Sequence, residues 1–251
     1  MHLIALDIGN SRIKAGLFLG EKLEWVKLLT FTDYIGAYIS FWTDKYEIDT
    51  LAYTNVNSRQ MGRILDPSLL LQIRPIEITG SSPGPVRNAY RSPATLGSDR
   101  YAAVAGARLK SEKRPLLVID IGTAITYDYV DAENNYLGGA IAPGINLRLR
   151  SLHHYTSRLP LVKQQDEVDF IGSTTQDCIR AGVQYGVICE IEGMIGRYKK
   201  EAGDELEVYL TGGTAIWISD HIEVSHRLEM NLVLEGIYHL AQQHRINAQS
   251  N

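Results

Sequence analysis

The chain has 251 residues, of which 45% are hydrophobic and 22% are charged, with a formal net charge of −4. This is the composition of an ordinary globular protein whose core fills one large domain or two small ones. The charge gives no electrostatic basis for binding nucleic acid or an anionic membrane, and no apolar run reaches the roughly 20 residues that span a bilayer. Met1 leads directly into a predicted strand without a signal-peptide pattern, and the two cysteines are too few for a disulfide framework. We therefore expect a cytoplasmic protein.

The first predicted elements are three strands joined by two tight turns, and the first turn is acidic. An apolar strand ends at Asp7, which places this carboxylate at the rim of a cleft, where it can hold Mg²⁺ directly or through water. Gly9 permits a tight turn and lets backbone amides approach phosphate oxygens, while Asn10 and Ser11 add neutral donors. Lys14, on the second strand, either reaches phosphate or is solvated. Because a strand rather than a helix follows the glycine, the two commonest phosphate loops are excluded.

Alternating helices and strands follow, and they predict a mixed α/β domain. The predicted elements are a helix over 32–46, a strand over 50–55, a helix over 59–71 and a strand over 73–78. A proline-rich connection then passes Tyr90 and leads to a helix predicted over 99–109, with Ser98 as its N-cap. Asp99 in the first helical turn has an ordinary explanation in the helix dipole, and a chemical role is the alternative.

The second half of the chain repeats the acidic turn. Residues 116–119 are apolar and run into Asp120-Ile121-Gly122, after which Thr123 and Thr126 supply hydroxyl donors. A single Asp-Gly turn is ordinary in a hairpin. Two copies in matching context indicate a duplicated fold that holds a nucleotide between its halves.

A long helix and a second glycine turn are predicted further along. A capping box at 173–176 predicts a helix that runs to about residue 200, with Cys178 and Cys189 as small apolar fillers. Each of its four glycines costs roughly 1 kcal/mol relative to alanine, so we expect close packing against another helix, within the chain or across a dimer. A strand over 208–211 ends at Gly212-Gly213, which is either a flat surface for adenosine or a plain turn. An amphipathic helix over 232–244 closes the chain.

Together these motifs resemble the acetate and sugar kinase, heat-shock chaperone and actin superfamily, and within it the type III pantothenate kinases. The matching segments are, in order, DIGNSRIK at 7–14, GSDR at 97–100, DIGTAIT at 120–126, GGAIAPG at 138–144, IGSTT at 171–175 and TGG at 211–213. The resemblance implies an α/β fold of two related ribonuclease H-like lobes, 1–112 and 113–251. Each lobe would be a mixed five-stranded sheet flanked by helices, with an ATP cleft between the lobes.

The resemblance also implies an activity: transfer of the γ-phosphoryl group of ATP to the primary hydroxyl of pantothenate, giving 4'-phosphopantothenate in the first step of coenzyme A synthesis. Asp99 would be the general base. Pantothenate would be bound by Tyr90, Gly97, Ser98, Asp99 and Arg100, and by Thr175 from the partner subunit of a homodimer. ATP would be bound by Asp7, Ile8, Gly9, Asn10, Ser11, Arg12, Ile13, Lys14 and Thr123. Asp7 would serve Mg²⁺, and Asp120 would hold a monovalent cation, K⁺ or NH₄⁺.

Three positions depart from the family pattern. Ser11 replaces the usual threonine and Ser98 a small apolar residue, both mild changes, whereas Ile125 removes one hydroxyl donor from the second acidic turn. Two alternatives remain open: another small-molecule kinase or phosphatase on the same scaffold, or a nucleotide-binding regulator without catalysis. The GSDR segment after Tyr90 favours pantothenate as substrate, and the retained Asp99 favours catalysis.

Overall fold

The structure is a computed structural model, and it describes residues 1–31, 35–57, 73–112 and 114–249. The helix predicted over 59–71 lies outside the described residues, as do the first three residues of the helix predicted over 32–46. The chain divides into two compact units, one formed by Met1–Glu112 with Asn231–Asn251 and the other by Lys113–Met230. No helix in the described ranges is long and apolar enough to cross a membrane.

The first unit is built on a mixed sheet. In chain order its elements are β1 (His2–Ile8), β2 (Ile13–Leu19), β3 (Lys22–Leu29), α1 (Ile35–Tyr46), β4 (Thr50–Asn55), β5 (Arg74–Glu77), the two-residue strand β6 (Arg87–Asn88) and α2 (Ser98–Lys110). The strand order is β3-β2-β1-β4-β5. β1 to β3 are antiparallel, and β4 and β5 continue parallel to β1. β1 is central and buried on both faces, which explains why its sequence is continuously apolar rather than alternating.

The second unit repeats this arrangement. Its elements are β7 (Leu116–Ile121), β8 (Ala124–Val130), β9 (Asn135–Pro143), α3 (Ile145–His154), α4 (Thr175–Ala202), β10 (Glu207–Thr211), α5 (Ala215–Ser219) and β11 (Arg227–Leu228). The order β9-β8-β7-β10-β11 and the strand directions match those of the first unit. The prediction of two related halves with mixed sheets is therefore confirmed. The predicted count of five strands holds for the first sheet, whereas the second sheet has six among the described residues.

The last helix, α6 (Leu232–Gln249), belongs to the first unit, so the predicted second lobe over 113–251 is wrong in its final part. Two glycines allow this helix to cross α2 at very short distance. A Cβ added at Gly236 would lie 1.8 Å from the carbonyl oxygen of Ala102, and one added at Gly106 would lie 2.2 Å from that of Leu232. The amphipathic sequence pattern showed that α6 buries one face, but not which unit covers it.

Helix α4 packs one face on the sheet of the second unit and leaves another face uncovered. Its buried side is the predicted one, formed by Ile179, Val183, Val187, Ile191 and Ile195. The opposite side carries only small residues, here called the small-residue stripe: Thr175, Cys178, Gly182, Gly186, Cys189, Gly193 and Gly196. A Cβ added at any of these four glycines would meet no atom of the described chain within 4 Å, and both cysteines are exposed. The prediction that the cysteines are apolar fillers is therefore wrong within this chain, and no described helix of it packs on the stripe.

Candidate functional site

The first acidic turn is a tight hairpin between β1 and β2. The Gly9 amide donates to the Arg12 carbonyl at 3.1 Å, which closes the turn. Ile8 and Ile13 flank the turn and are fully buried, so only their backbone is available to a ligand. Asn10, Ser11 and Arg12 are exposed at the tip, and Lys14 lies opposite Asp7 in the strand register.

The end of β4 connects this turn to the start of α2. The buried Thr54 hydroxyl donates to Asp7 Oδ1 at 3.1 Å, and the Asn55 amide donates to Ser98 Oγ at 3.1 Å. Neither Thr54 nor Asn55 was among the predicted site residues. Both could have been predicted as site residues, because they are polar and end an apolar strand that runs parallel to β1.

The predicted substrate segment forms the N-terminus of α2. Gly97 rather than Ser98 is the N-cap, so the prediction of a serine cap is wrong; Ser98 is the first helical residue and accepts the Asn55 bond instead. Asp99 Oδ1 accepts from the Arg100 amide at 2.8 Å. A Cβ at Gly97 would lie 2.6 Å from that same oxygen, so glycine is required for this carboxylate position. Ser98 and Arg100 are buried.

Asp7 and Asp99 influence each other electrostatically within the first unit. Burial, together with the negative charge of Asp99, raises the pKa of Asp7 from 3.8 to about 6, while the Thr54 hydrogen bond and Lys14 act in the opposite direction. A buried carboxylate with a second carboxylate nearby favours a bound cation, because the cation offsets both negative charges. No cluster of three or more His, Cys, Asp or Glu occurs among the residues that the structure describes. One or two carboxylates still fit Mg²⁺, which keeps several waters and takes its other ligands from substrate phosphates.

Tyr90 lies in the loop that follows β6. Its amide donates to Asn88 Oδ1 at 2.9 Å, and Asn88 Nδ2 donates to the Gly80 carbonyl. Gly80 in turn packs against the 3₁₀ turn Pro93–Thr95, because a Cβ there would lie 2.8 Å from the Pro93 oxygen. The half-buried Tyr90 is therefore carried by a loop that is closed on itself just before α2.

The second acidic turn is also a tight hairpin closed by its glycine, but it is one residue shorter than the first. The Gly122 amide donates to the Ala124 carbonyl at 2.9 Å, and Asp120 lies beside Thr211 in the parallel register with β10. Gly212 has a φ of 99°, and a Cβ there would lie 2.4 Å from Asp120 Oδ1. Glycine is thus required because its backbone contacts the Asp120 carboxylate.

The hydroxyls expected near this turn have different surroundings. Thr123 is exposed, and its carbonyl accepts from the Gly144 amide at 3.0 Å. Thr126 donates to the buried Asp128 at 3.0 Å, so its expected role as a phosphate donor is not supported. Ile125 is fully buried in the core, which explains an apolar residue at that position.

Thr175 is the first residue of α4 and is exposed at the end of the small-residue stripe. Thr174 caps the helix by accepting from the Asp177 amide at 3.2 Å, so the predicted cap is shifted by one residue. Thr175 itself is not used for capping.

Two mixed sheets with the same strand order, each with an acidic glycine turn, define the class of proteins with an actin-like fold. Solved structures agree. An inorganic polyphosphate/ATP-glucomannokinase from Arthrobacter is 14% identical, with a TM-score of 0.50 and coverage of 99% of both chains. A protein from Campylobacter jejuni described as a Baf family transcriptional activator is 21% identical, with a TM-score of 0.63 and coverage of 97% of this chain and 99% of the other.

Sequence comparisons identify the family. The profile of the type III pantothenate kinase family matches residues 3–197. A type III pantothenate kinase of Flavobacterium johnsoniae is 35% identical over 94% of this chain and 95% of the relative. A type III pantothenate kinase of Phocaeicola vulgatus is 34% identical over 94% of this chain and 96% of the relative. The chain belongs to the type III pantothenate kinase family.

Proposed function

We propose that this chain transfers the γ-phosphoryl group of ATP to the primary hydroxyl of pantothenate, with Asp99 as general base and Asp7 as the residue that serves Mg²⁺. As a member of its family the chain is a kinase, it acts on pantothenate in coenzyme A biosynthesis, and it uses ATP with a divalent metal. The observation that carries the assignment of roles is that the end of β4 bonds both to Asp7, through Thr54, and to the start of α2 beside Asp99, through Asn55. Burial and the charge of Asp99 together raise the pKa of Asp7, which agrees with this placement.

Asp99 takes the hydroxyl proton of pantothenate as the alcohol oxygen bonds to the γ-phosphorus and the bond from that phosphorus to ADP breaks. A base in hydrogen-bond reach contributes roughly 10²–10⁴-fold, and most of the remaining acceleration comes from positioning and charge neutralisation. Bound Mg²⁺ supplies neutralisation of the phosphate charge. The backbone of Gly97 and Ser98 orients pantothenate beside the base, together with Arg100 and Tyr90.

ATP phosphates are assigned to the two acidic turns. In the first turn the side chains of Asn10, Ser11, Arg12 and Lys14 are the donors, and the backbone of Ile8, Gly9 and Ile13 lines the site. In the second turn the donor is the exposed Thr123. The glycines of both turns support this assignment because their amides close the hairpins and no side chain stands between the turn and a phosphate.

Asp120 is assigned to a monovalent cation, K⁺ or NH₄⁺. The support is the surroundings of the Asp120 carboxylate, which contacts the backbone of Gly212 and lies next to Thr211 in the strand register. These groups bear oxygen atoms. Asp120→Asn is expected to remove the stimulation of turnover by KCl or NH₄Cl over NaCl. Stimulation that persists in this variant would contradict the assignment.

A homodimer is assigned through the small-residue stripe of α4, with Thr175 contacting pantothenate bound by the partner subunit. Phe170 and Ile171, just before this helix, are 71% and 82% exposed, so apolar area continues from the stripe. Gly186→Leu raises helix propensity, so α4 still forms while the added side chain blocks close packing. The expected result is a monomer in sedimentation analysis, whereas Gln243→Leu on the exposed part of α6 leaves the dimer intact.

The decisive experiment for the activity is a coupled ADP-release assay with pantothenate. Asp99→Asn is expected to lose most of its turnover while ATP still binds in calorimetry. Turnover of that variant at the wild-type rate would show that Asp99 is not the base. A wild-type chain that releases no ADP when pantothenate is added would refute the proposed function as a whole.

A further inference from the structure

We propose that Arg148 and Glu190 are positioning residues for ATP: their ion pair, between α3 and α4, fixes the place of the turn at Thr123. This inference rests on the proposed role of Thr123 in binding ATP. Neither residue belongs to a motif that pointed to the site, and both lie within the second unit.

Arg148 holds the junction between β9 and α3. Its Nε donates to the Pro143 carbonyl at 2.7 Å, and its own amide donates to the Gly144 carbonyl at 3.0 Å. The neighbouring Nη2 of the same guanidinium donates to Glu190 Oε2. Because the guanidinium is planar and rigid, these two bonds fix the distance between the Pro143 carbonyl and the Glu190 carboxylate of α4.

The β9–α3 junction in turn contacts the second acidic turn directly. The Gly144 amide donates to the Thr123 carbonyl at 3.0 Å, and Pro143 pairs with Ala124 in the strand register. There is no free space between them, since a Cβ at Gly144 would lie 2.3 Å from the Gly122 oxygen. A displacement of the junction therefore has to displace the turn that carries Thr123.

Glu190 is held from a second side, which distinguishes this pair from an ordinary surface ion pair. The Tyr127 hydroxyl donates to Glu190 Oε1 at 3.0 Å, and Tyr127 is only 1% exposed. Side chains of both the arginine and the glutamate are themselves mostly covered, with 22% and 28% exposed. A carboxylate fixed by a buried phenol presents one orientation to the arginine, and a network of this kind is worth more than an exposed pair. Glu190 also neighbours Cys189 of the small-residue stripe.

The test compares Arg148→Met, Glu190→Gln and the double variant in steady-state kinetics, with calorimetric binding of a non-hydrolysable ATP analogue. Each single variant is expected to raise the KM for ATP and the analogue Kd by roughly tenfold, the effect of one lost charge-assisted hydrogen bond. The KM for pantothenate stays within twofold. The double variant is no worse than either single one, because both changes break the same network.

A merely structural pair would lower the melting temperature or the fraction of active enzyme while both KM values stay unchanged, and that result would overturn the inference. Arg148→Lys keeps the charge but cannot reach Glu190 and Pro143 together, so it should behave like Arg148→Met. If lysine restores ATP binding, or if Glu190→Gln leaves it unchanged, the network does not act as inferred. Should Arg148→Met fail to fold, Glu190→Gln gives the same test.

Arg227→Met is the matched control. Arg227 pairs with Glu207 at 3.6 Å in the same unit, but Glu207 lies opposite Leu116, at the other end of the sheet from Asp120. The KM of the Arg227→Met variant for ATP should equal that of the wild type. Binding of the ATP analogue does not require pantothenate. The positioning role of Arg148 and Glu190 and the proposed pantothenate kinase activity can therefore fail independently of each other. An active wild type with unchanged ATP binding in the variants refutes only the role of Arg148 and Glu190.

Discussion

Asp7→Asn is expected to stabilise the metal-free protein while removing its activity. Asparagine imitates the protonated carboxyl, and its Oδ1 can still accept the Thr54 hydrogen bond. The folded state holds the Asp7 proton more tightly than the unfolded chain, since burial and Asp99 raise the pKa of Asp7 to about 6. The charge of Asp7 therefore costs stability as pH rises above 3.8, and the cost is complete above pH 6.

The magnitude follows from the pKa shift. One pKa unit corresponds to about 1.4 kcal/mol, so moving from 3.8 to about 6 costs at most about 3 kcal/mol at pH 8. At pH 5 roughly half of that cost is present, because the folded carboxyl is then largely protonated. The gain from Asp7→Asn should accordingly be about twice as large at pH 8 as at pH 5.

Urea unfolding at the two pH values, with EDTA and without nucleotide, measures this difference. The control is Asp49→Asn, which removes an exposed carboxylate of the same unit that pairs with Arg245 at 2.9 Å; it should change stability by less than about 1 kcal/mol. A destabilised Asp7→Asn, or a gain that is the same at pH 5 and pH 8, would refute the reasoning. Added MgATP should stabilise the wild type and not the variant, because binding to the folded state is lost.

Two further changes test other parts of the structure. Thr54→Val removes the hydrogen bond to Asp7 at nearly constant volume, so turnover should fall on the order of tenfold. Thr54→Ser keeps the hydroxyl and should keep the turnover. Equal rates for the two variants would contradict the role of Thr54. Gly236→Ala places a methyl group 1.8 Å from the Ala102 oxygen, so thermal unfolding should show a loss of roughly 2–4 kcal/mol. Gly36→Ala, in open space on α1, should instead be neutral or stabilising by up to about 1 kcal/mol, and a similar loss there would remove the steric explanation.

The duplicated sheets were predictable because their signals are local. An apolar run that ends at Asp-x-Gly marks a buried strand and its turn without knowledge of any other part of the chain. A hairpin closed by its own glycine amide then appears at Gly9 and at Gly122, although the second turn is one residue shorter. The roles of Asp99, Asp120 and Thr175 came from family motifs and stay predictions.

What the sequence did not show depends on contacts between distant segments. The bond from Thr54 to Asp7 joins residues of different strands, and the bond from Asn55 places Ser98 inside α2 rather than at its cap. The hydroxyl of Thr126 was assigned to phosphate because the buried Asp128 could not be located from spacing alone. The exposed cysteines of α4 show the same limit, since periodicity gives the buried face but not whether the opposite face is covered.

The return of α6 to the first unit has a consequence for synthesis on the ribosome. The second unit is a continuous segment, so its residues are all available as soon as they have emerged. The first unit lacks the helix that covers α2 and β1 until α6, which follows the whole second unit in the chain, has emerged. The first unit, although most of it is synthesised first, therefore completes its core after the second unit. Until then it exposes apolar surface that chaperones recognise.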